Sequence, residues 1–171
     1  MFRLANAPTF VLSAACLLAA LSAKGECGVV RGHLLNHPAP PTCGSLIFCA
    51  EGELLGRLNG NFTQKGIALT AAAGALPDPE VAPSVLFGSA DIQLNTKLCN
   101  GVLFLKDTFV LNAMPPDPAN PGDAFFSAVH TVDPLKSTGG CAGVTGQLRL
   151  IGVSAPEGVQ ADYEGVICTA N

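Results

Sequence analysis

The chain lacks tryptophan, has a single tyrosine, and carries few charged side chains, at 13% Asp, Glu, Lys and Arg. Glycine and proline are frequent instead, with 19 and 13 residues. Because these two residues interrupt helices and favour turns, the composition predicts many short strands rather than long helices.

One apolar run stands near the start of the chain, at residues 10–21, preceded by Arg3 and followed by small residues. This pattern is typical of a signal peptide over residues 1–23, which leaves 24–171 as one domain. The run is about half the roughly 20 residues that a membrane-spanning helix needs. We therefore expect a soluble protein that is secreted, or held in the periplasm or at the cell surface if the source is bacterial.

Basic residues are too few for an electrostatic interaction with polyanions. Without Arg3, 8 basic residues stand against 13 acidic ones, which is a net charge of −5. Nucleic acid and anionic membrane surfaces are therefore not expected as partners. The sequence leaves the oligomeric state open.

Turn-forming clusters divide the expected domain into eight segments of strand length. In the second segment, Ala50, Leu54 and Leu58 alternate with polar residues such as Glu51 and Glu53, as in a barrel wall with one polar face. The predicted strands are 27–32, 45–57, 60–71, 84–96, 101–112, 123–132, 144–153 and 158–168.

A glycine-rich segment, STGGCAGVTGQLRL at residues 137–150, joins a turn to one of these strands. It resembles the GxFxGVxGQVKL segment of the allene oxide cyclase barrel family, which dirigent proteins share, with Cys141 in place of the usual aromatic residue. The closing YEGVIC at 163–168 is similar to small secreted bacterial members of that superfamily. The resemblance implies an all-β, up-and-down antiparallel barrel of about eight strands. The catalytic residues of the family do not align onto this chain, so no catalytic role is carried over.

The connections between the predicted strands fall into two groups. Those at 33–44, 73–83, 113–122 and 153–158 contain proline, whereas two of the other three are tight Asn-Gly turns. In an up-and-down barrel alternate turns emerge at the same end. The proline-containing loops are therefore expected to surround a mouth, opposite a closed floor.

Six cysteines remain after the expected leader, an even number that points to disulfides in a secreted chain. Fifteen connectivities are possible. Cys99 and Cys141 lie in floor turns, while the first and last strands carry Cys27 and Cys168 where a barrel would close. We predict the pairs Cys27–Cys168, Cys43–Cys49 and Cys99–Cys141, and the first two depend on the position of the first strand.

Metal, cofactor and glycan signals are weak. His33 and His37 lie four residues apart near Cys43, but Pro38 prevents a ligand-presenting helix, so no metal site is expected. Motifs such as GxSxG, HExxH and GxGxxG are absent, and no cofactor is expected. Asn61 begins a glycosylation sequon, which matters only in a eukaryotic source.

Asp107 and Tyr163 are the weak candidates for catalysis. Asp107 shares the more apolar face of its strand, where a buried carboxyl group could act as an acid or base. The alternatives are that Asp107 hydrogen-bonds a buried backbone group or a neighbouring strand, or that the faces are reversed and it is solvated. Tyr163 could offer its phenol to a ligand, although a lone strand tyrosine is more often a core residue. His130 has no acidic or nucleophilic partner at a recognisable spacing, so a satisfied or exposed histidine is expected rather than a general base. The predicted ligand-binding residues of the lumen are Leu103, Leu105, Asp107, Phe109 and Tyr163.

Three functions remain open. The favoured one is a non-catalytic secreted barrel that binds a small apolar molecule or a surface partner. The alternatives are a cofactor-free cyclase or isomerase, which needs few catalytic groups, and a purely structural extracellular protein with a filled lumen. Fold alone does not decide among them.

Overall fold

The computed structural model describes residues 25–39, 49–71, 85–113 and 123–169, which form nine strands and no helix. The predicted leader, Cys43, residues 40–44 of the first predicted mouth loop, and most residues of the predicted loops 73–83 and 113–122 lie outside these described residues. The strands are β1 (Cys27–Pro38), β2 (Ala50–Gly56), β3 (Gly60–Ala71), β4 (Val85–Thr96), β5 (Gly101–Ala113), β6 (Ala124–Val132), β7 (Thr138–Gly139), β8 (Thr145–Ala155) and β9 (Gly158–Cys168).

Eight long strands close into one antiparallel barrel in the order β1-β2-β3-β4-β5-β6-β8-β9, and β9 pairs back onto β1. The ninth strand, β7, has two residues and pairs with the start of β5, through Gly101 and Val102. The prediction of an all-β, disulfide-linked, up-and-down barrel is confirmed. Closure leaves every long strand paired on both sides.

The first strand is six residues longer than predicted, and part of the expected loop 33–44 is therefore strand. Residues 33–38 follow the barrel alternation, with Leu34 buried and His33 and Leu35 outside. Asn36 supports this extension because its side-chain oxygen accepts a hydrogen bond from the backbone of Val159, at 2.8 Å. The expected loop 153–158 is likewise shorter, since only residues 156–157 form the turn between β8 and β9.

Two aromatic side chains lie across glycines on neighbouring strands. Tyr163 is in register with Gly32, and a Cβ atom on Gly32 would lie 2.6 Å from the Tyr163 hydroxyl. Phe109 is in register with Gly88, where a Cβ atom would lie 2.1 Å from the Phe109 ring. The space beside these two inward-facing glycines is therefore filled by the aromatic side chains and is not available to a ligand. Gly52 follows the same rule, because its Cβ would lie 2.1 Å from the backbone oxygen of Leu35.

The floor of the barrel is packed and crosslinked. Leu58, Leu94, Leu103 and Val144 are among its fully buried side chains. Disulfides join Cys27 to Cys168, across the pairing of β1 with β9, and Cys99 to Cys141, between two floor turns. These two predicted pairs are confirmed. The third, Cys43–Cys49, involves a residue outside the described ones.

Candidate functional site: the lumen cavity

A cavity of about 230 Å³ occupies the barrel half opposite the packed floor, where β1, β3, β5 and β8 end. We call it the lumen cavity. Most of its lining is aliphatic or aromatic, with a few polar groups. The lining residues are Leu34, Asn36, Pro38, Cys49, Ala50, Gln64, Ile67, Leu69, Ile92, Asp107, Phe109, Leu111, Phe126, His130, Ser154, Ala155, Gly158 and Val159.

Three buried polar side chains meet at the wall of this cavity, and we refer to Gln64, Asp107 and His130 as the polar cluster. The Gln64 side-chain amide donates a hydrogen bond to Asp107 Oδ2, at 2.8 Å. His130 Nε2 lies 3.2 Å from Asp107 Oδ1. Asp107 is 2% exposed and His130 1%. A carboxylate this deeply buried needs such partners, because its desolvation is costly.

The strand register brings the cluster together. Asp107 on β5 lies directly opposite His130 on β6. On the other side, β4 places only the methyl group of Ala90 opposite Asp107, which leaves space for Gln64 to reach across from β3. A bulge with one additional residue follows between Lys65 and Ala68. It turns Ile67 and Leu69 toward the lumen cavity.

Two atoms of the cluster lack a hydrogen-bond partner within the described ranges, namely Asp107 Oδ1 and His130 Nδ1. The Nε2 contact is close enough for an ion pair, yet its geometry does not satisfy a hydrogen bond. For a neutral His130 we assign the proton to Nε2, because a lone pair on Nε2 would be repelled by the carboxylate oxygen 3.2 Å away. Nδ1 is then an acceptor, like the carboxylate oxygen.

The five predicted lumen residues divide between the two halves of the barrel. Asp107 and Phe109 line the lumen cavity. Leu103 and Leu105 are buried in the core at 0% and 1% exposure and are not part of the lining. Tyr163 also lies outside the lining, and its hydroxyl accepts a hydrogen bond from the backbone of Leu58, at 3.1 Å. Burial raises the pKa of the Tyr163 phenol, against the smaller opposing effect of that bond. The Tyr163 hydroxyl therefore makes a hydrogen bond inside the protein and does not face the lumen cavity.

Sequence reasoning missed Gln64 and His130 because their contacts join separate strands. His130 stands 23 positions beyond Asp107 in the chain, a spacing that belongs to no motif. The register of β5 against β6, if it could be derived from the sequence of their connection, would have paired Asp107 with His130. The segment 114–122 between the two strands contains proline and glycine turn signals, but it is too long for any one of them to fix this register.

The outer face carries the remaining candidates. His33 and His37 lie beside Asp162 and Glu51 of neighbouring strands, at 2.5 and 3.3 Å. Within the described ranges, no three His, Cys, Asp or Glu side chains are placed to hold a metal ion. Asn61 is exposed on β3. No helix in the described part of the chain is long and apolar enough to cross a membrane.

Apolar side chains are also exposed on the outer face, and three of them lie together on β6 and β8. Phe125 is 58% exposed and lies in register with Val153, and Ile151 is 74% exposed. They form a second apolar surface, separate from the lumen cavity. Any test of ligand binding must therefore distinguish the two.

Comparison with known proteins identifies no relative: no family model, no curated protein and no solved structure matches this chain.

Proposed function

We propose that the protein is a secreted, non-catalytic barrel that binds one small apolar molecule in its lumen. The observation that carries the proposal is an apolar cavity of about 230 Å³ that meets a buried polar cluster at its wall. Small-molecule sites have this character: concave, mostly apolar, and with a few placed polar groups. The packed floor and its two disulfides favour a site that is open only from the opposite end.

The cavity volume limits the size of the ligand. A dry cavity of about 150 Å³ lined by aliphatic and aromatic side chains holds benzene. At about 230 Å³ the lumen cavity suits a molecule of two fused rings, or an aliphatic molecule of similar volume. We therefore choose indene, a two-ring hydrocarbon, as the first probe.

The test is isothermal titration calorimetry with indene on the oxidised, leader-free chain. We expect saturable binding at one site per chain. Phe109→Trp should weaken it roughly tenfold or more, because the larger ring fills part of the cavity and overpacking costs about 1–3 kcal/mol. Phe87→Trp is the matched control, since Phe87 is 49% exposed on the outer face. Absence of saturable binding, or equal effects of the two substitutions, would favour the structural alternative.

A second candidate is proton-transfer catalysis, which the contact between His130 and Asp107 favours. In this reading Nδ1 takes a proton from the carbon beside a ligand carbonyl, and the resulting enolate recovers a proton at carbon. The test is exchange of the α-protons of 1-indanone in D₂O, followed by NMR. The candidate predicts faster exchange with the protein than with buffer, and loss of that difference in His130→Gln.

Two broader proposals accompany the ligand site. Two disulfides are compatible with an oxidising compartment, and together with the apolar run at residues 10–21 they support secretion. Membership of the allene oxide cyclase-like barrels rests on the motif at 137–150 and on the strand number. Mass spectrometry of the exported protein tests the first proposal, through an amino terminus near Ala23 or Lys24.

A further inference from the structure

We propose that the lumen selects an apolar molecule with a single hydrogen-bond donor, an O–H or N–H group, which binds at Asp107 and His130. The inference rests on the proposed function and specifies the chemistry of its ligand. It predicts discrimination among molecules of one shape, beyond a general affinity for apolar molecules.

The chemistry of the polar cluster decides whether the cavity prefers a ligand with a hydrogen-bond donor or one with an acceptor. Gln64 already donates to Asp107 Oδ2, so that oxygen is occupied. The two atoms without partners are Asp107 Oδ1 and, in the tautomer with the proton on Nε2, the lone pair of His130 Nδ1. Both are acceptors, and a ligand satisfies them only by donating. An ether or ketone would place a third acceptor beside them.

Burial makes the preference large. Both residues are at most 2% exposed, so neither free acceptor is satisfied by bulk water. A buried polar group left without a partner is costly, and a hydrogen bond to a charged acceptor is stronger than a neutral one. Because both atoms are buried, a ligand donor reaches them only after a local rearrangement of side chains. Side-chain rotamer changes of this kind are common on binding.

No other ionisable side chain lines the lumen cavity within the described ranges. The ion pair of Lys106 with Asp91, which joins β5 to β4, lies on the outer face. A cationic ligand would gain only the Asp107 carboxylate and would lose its hydration among aliphatic side chains. The neutral donor is therefore the favoured class.

The experiment compares three probes of nearly equal shape: indole with an N–H donor, benzofuran with an ether acceptor, and indene with neither. Calorimetry on the oxidised, leader-free chain gives the three affinities. Indole fluorescence provides a second readout, because the chain contains no tryptophan. We expect indole to bind about tenfold or more tightly than indene, and benzofuran no more tightly than indene.

Asp107→Asn should reverse this order. With the amide oxygen accepting from Gln64, the amide nitrogen takes the position of Oδ1 and becomes a donor, and His130 then carries its proton on Nδ1. Benzofuran should gain relative to indene, and indole should lose its advantage. Asp91→Asn is the matched control, because Asp91 pairs with Lys106 on the outer face and does not line the lumen cavity. It should leave the order of the three probes unchanged.

The outcomes separate this inference from the proposed function. If indene binds but indole is no tighter in the wild-type chain, the donor preference is wrong and the apolar site stands. The same conclusion follows if Asp91→Asn removes the preference and Asp107→Asn does not. If none of the three probes binds, the proposed function and the donor preference are both wrong.

Discussion

Asp107 Oδ1 lies 3.2 Å from His130 Nε2, and the two residues stand directly opposite each other on β5 and β6. Among the described residues, Asp107 has the one buried carboxylate, and the barrel places it against the buried imidazole of His130. Most of the surrounding side chains are aliphatic or aromatic. This relationship connects the fold to the proposed site, because the same two residues form the polar part of the cavity wall.

The energetic coupling between these two residues is measurable. His130→Leu leaves the Asp107 carboxylate without its neighbour, and removing one partner of a buried pair costs about 3–5 kcal/mol. The double variant Asp107→Leu with His130→Leu should lose less stability than the sum of the single variants, by at least about 1 kcal/mol. Urea unfolding of the four proteins provides the values. Additive losses would show that the two side chains do not interact.

Tyr163 predicts a dependence of stability on alkaline pH. Its pKa is raised in the folded chain by burial, so folding favours the neutral phenol. This contribution is fully present below the ordinary pKa of 10.0 and is lost as the pH rises through the folded value. The free energy of unfolding should therefore fall above pH 10 by a larger amount in the wild type than in Tyr163→Phe.

Absorbance offers an independent measurement of this ionisation. Tyr163 is the only tyrosine and the chain has no tryptophan, so phenolate absorbance near 295 nm reports this residue alone. Its midpoint in the folded protein should exceed that of the urea-unfolded protein. A midpoint equal to or below the unfolded one would contradict the buried position. At neutral pH, Tyr163→Phe should cost about 1–3 kcal/mol, because the Leu58 backbone N–H loses its acceptor.

Two glycine-to-alanine substitutions distinguish the stability lost through a steric clash from the stability lost through backbone strain. A Cβ on Gly32 would lie 1.8 Å from the backbone oxygen of Leu55, so Gly32→Ala should cost at least about 3 kcal/mol. Gly66 has a φ of +65° but nothing within 4 Å of its Cβ position. Gly66→Ala should cost only about 1–2 kcal/mol. Thermal unfolding measures both, and equal losses would contradict the close approach of β1 and β2.

The two confirmed disulfides should contribute unequally to stability. Cys27 and Cys168 are separated by 141 positions in the chain, and Cys99 and Cys141 by 42. Loop-closure entropy predicts that each contributes about 2–5 kcal/mol, with the longer loop contributing more. Paired serine variants of each disulfide, compared by urea unfolding, provide the test. A larger loss from the Cys99–Cys141 pair would contradict this order.

The sequence predicted those features that depend on local pattern. Alternation placed Leu54 and Leu58 inside, and the Asn-Gly turns positioned the floor well enough to pair Cys99 with Cys141. The end of β1 was missed, because residues such as Asn36 and Pro38 have low strand propensity and are held by β2 and β9.

The candidate site was predicted only in part. Asp107 and Phe109 were identified by the apolar face of their strand, and both line the cavity. Gln64 and His130 depend on the register between strands that are distant in the chain, and a one-residue shift would have turned His130 outward. Tyr163 was correctly placed on the inward face, but along its strand it lies between the lumen cavity and the packed floor, where it contacts Leu58.

The most direct test of the central claim is an NMR measurement of where indene binds. Intermolecular nuclear Overhauser effects should connect indene protons to the methyl groups of Ile67, Ile92 and Leu111, which line the lumen cavity. Effects confined to Ile151 and Val153 on the outer face, or no effects at saturating indene, would contradict a ligand site inside the barrel.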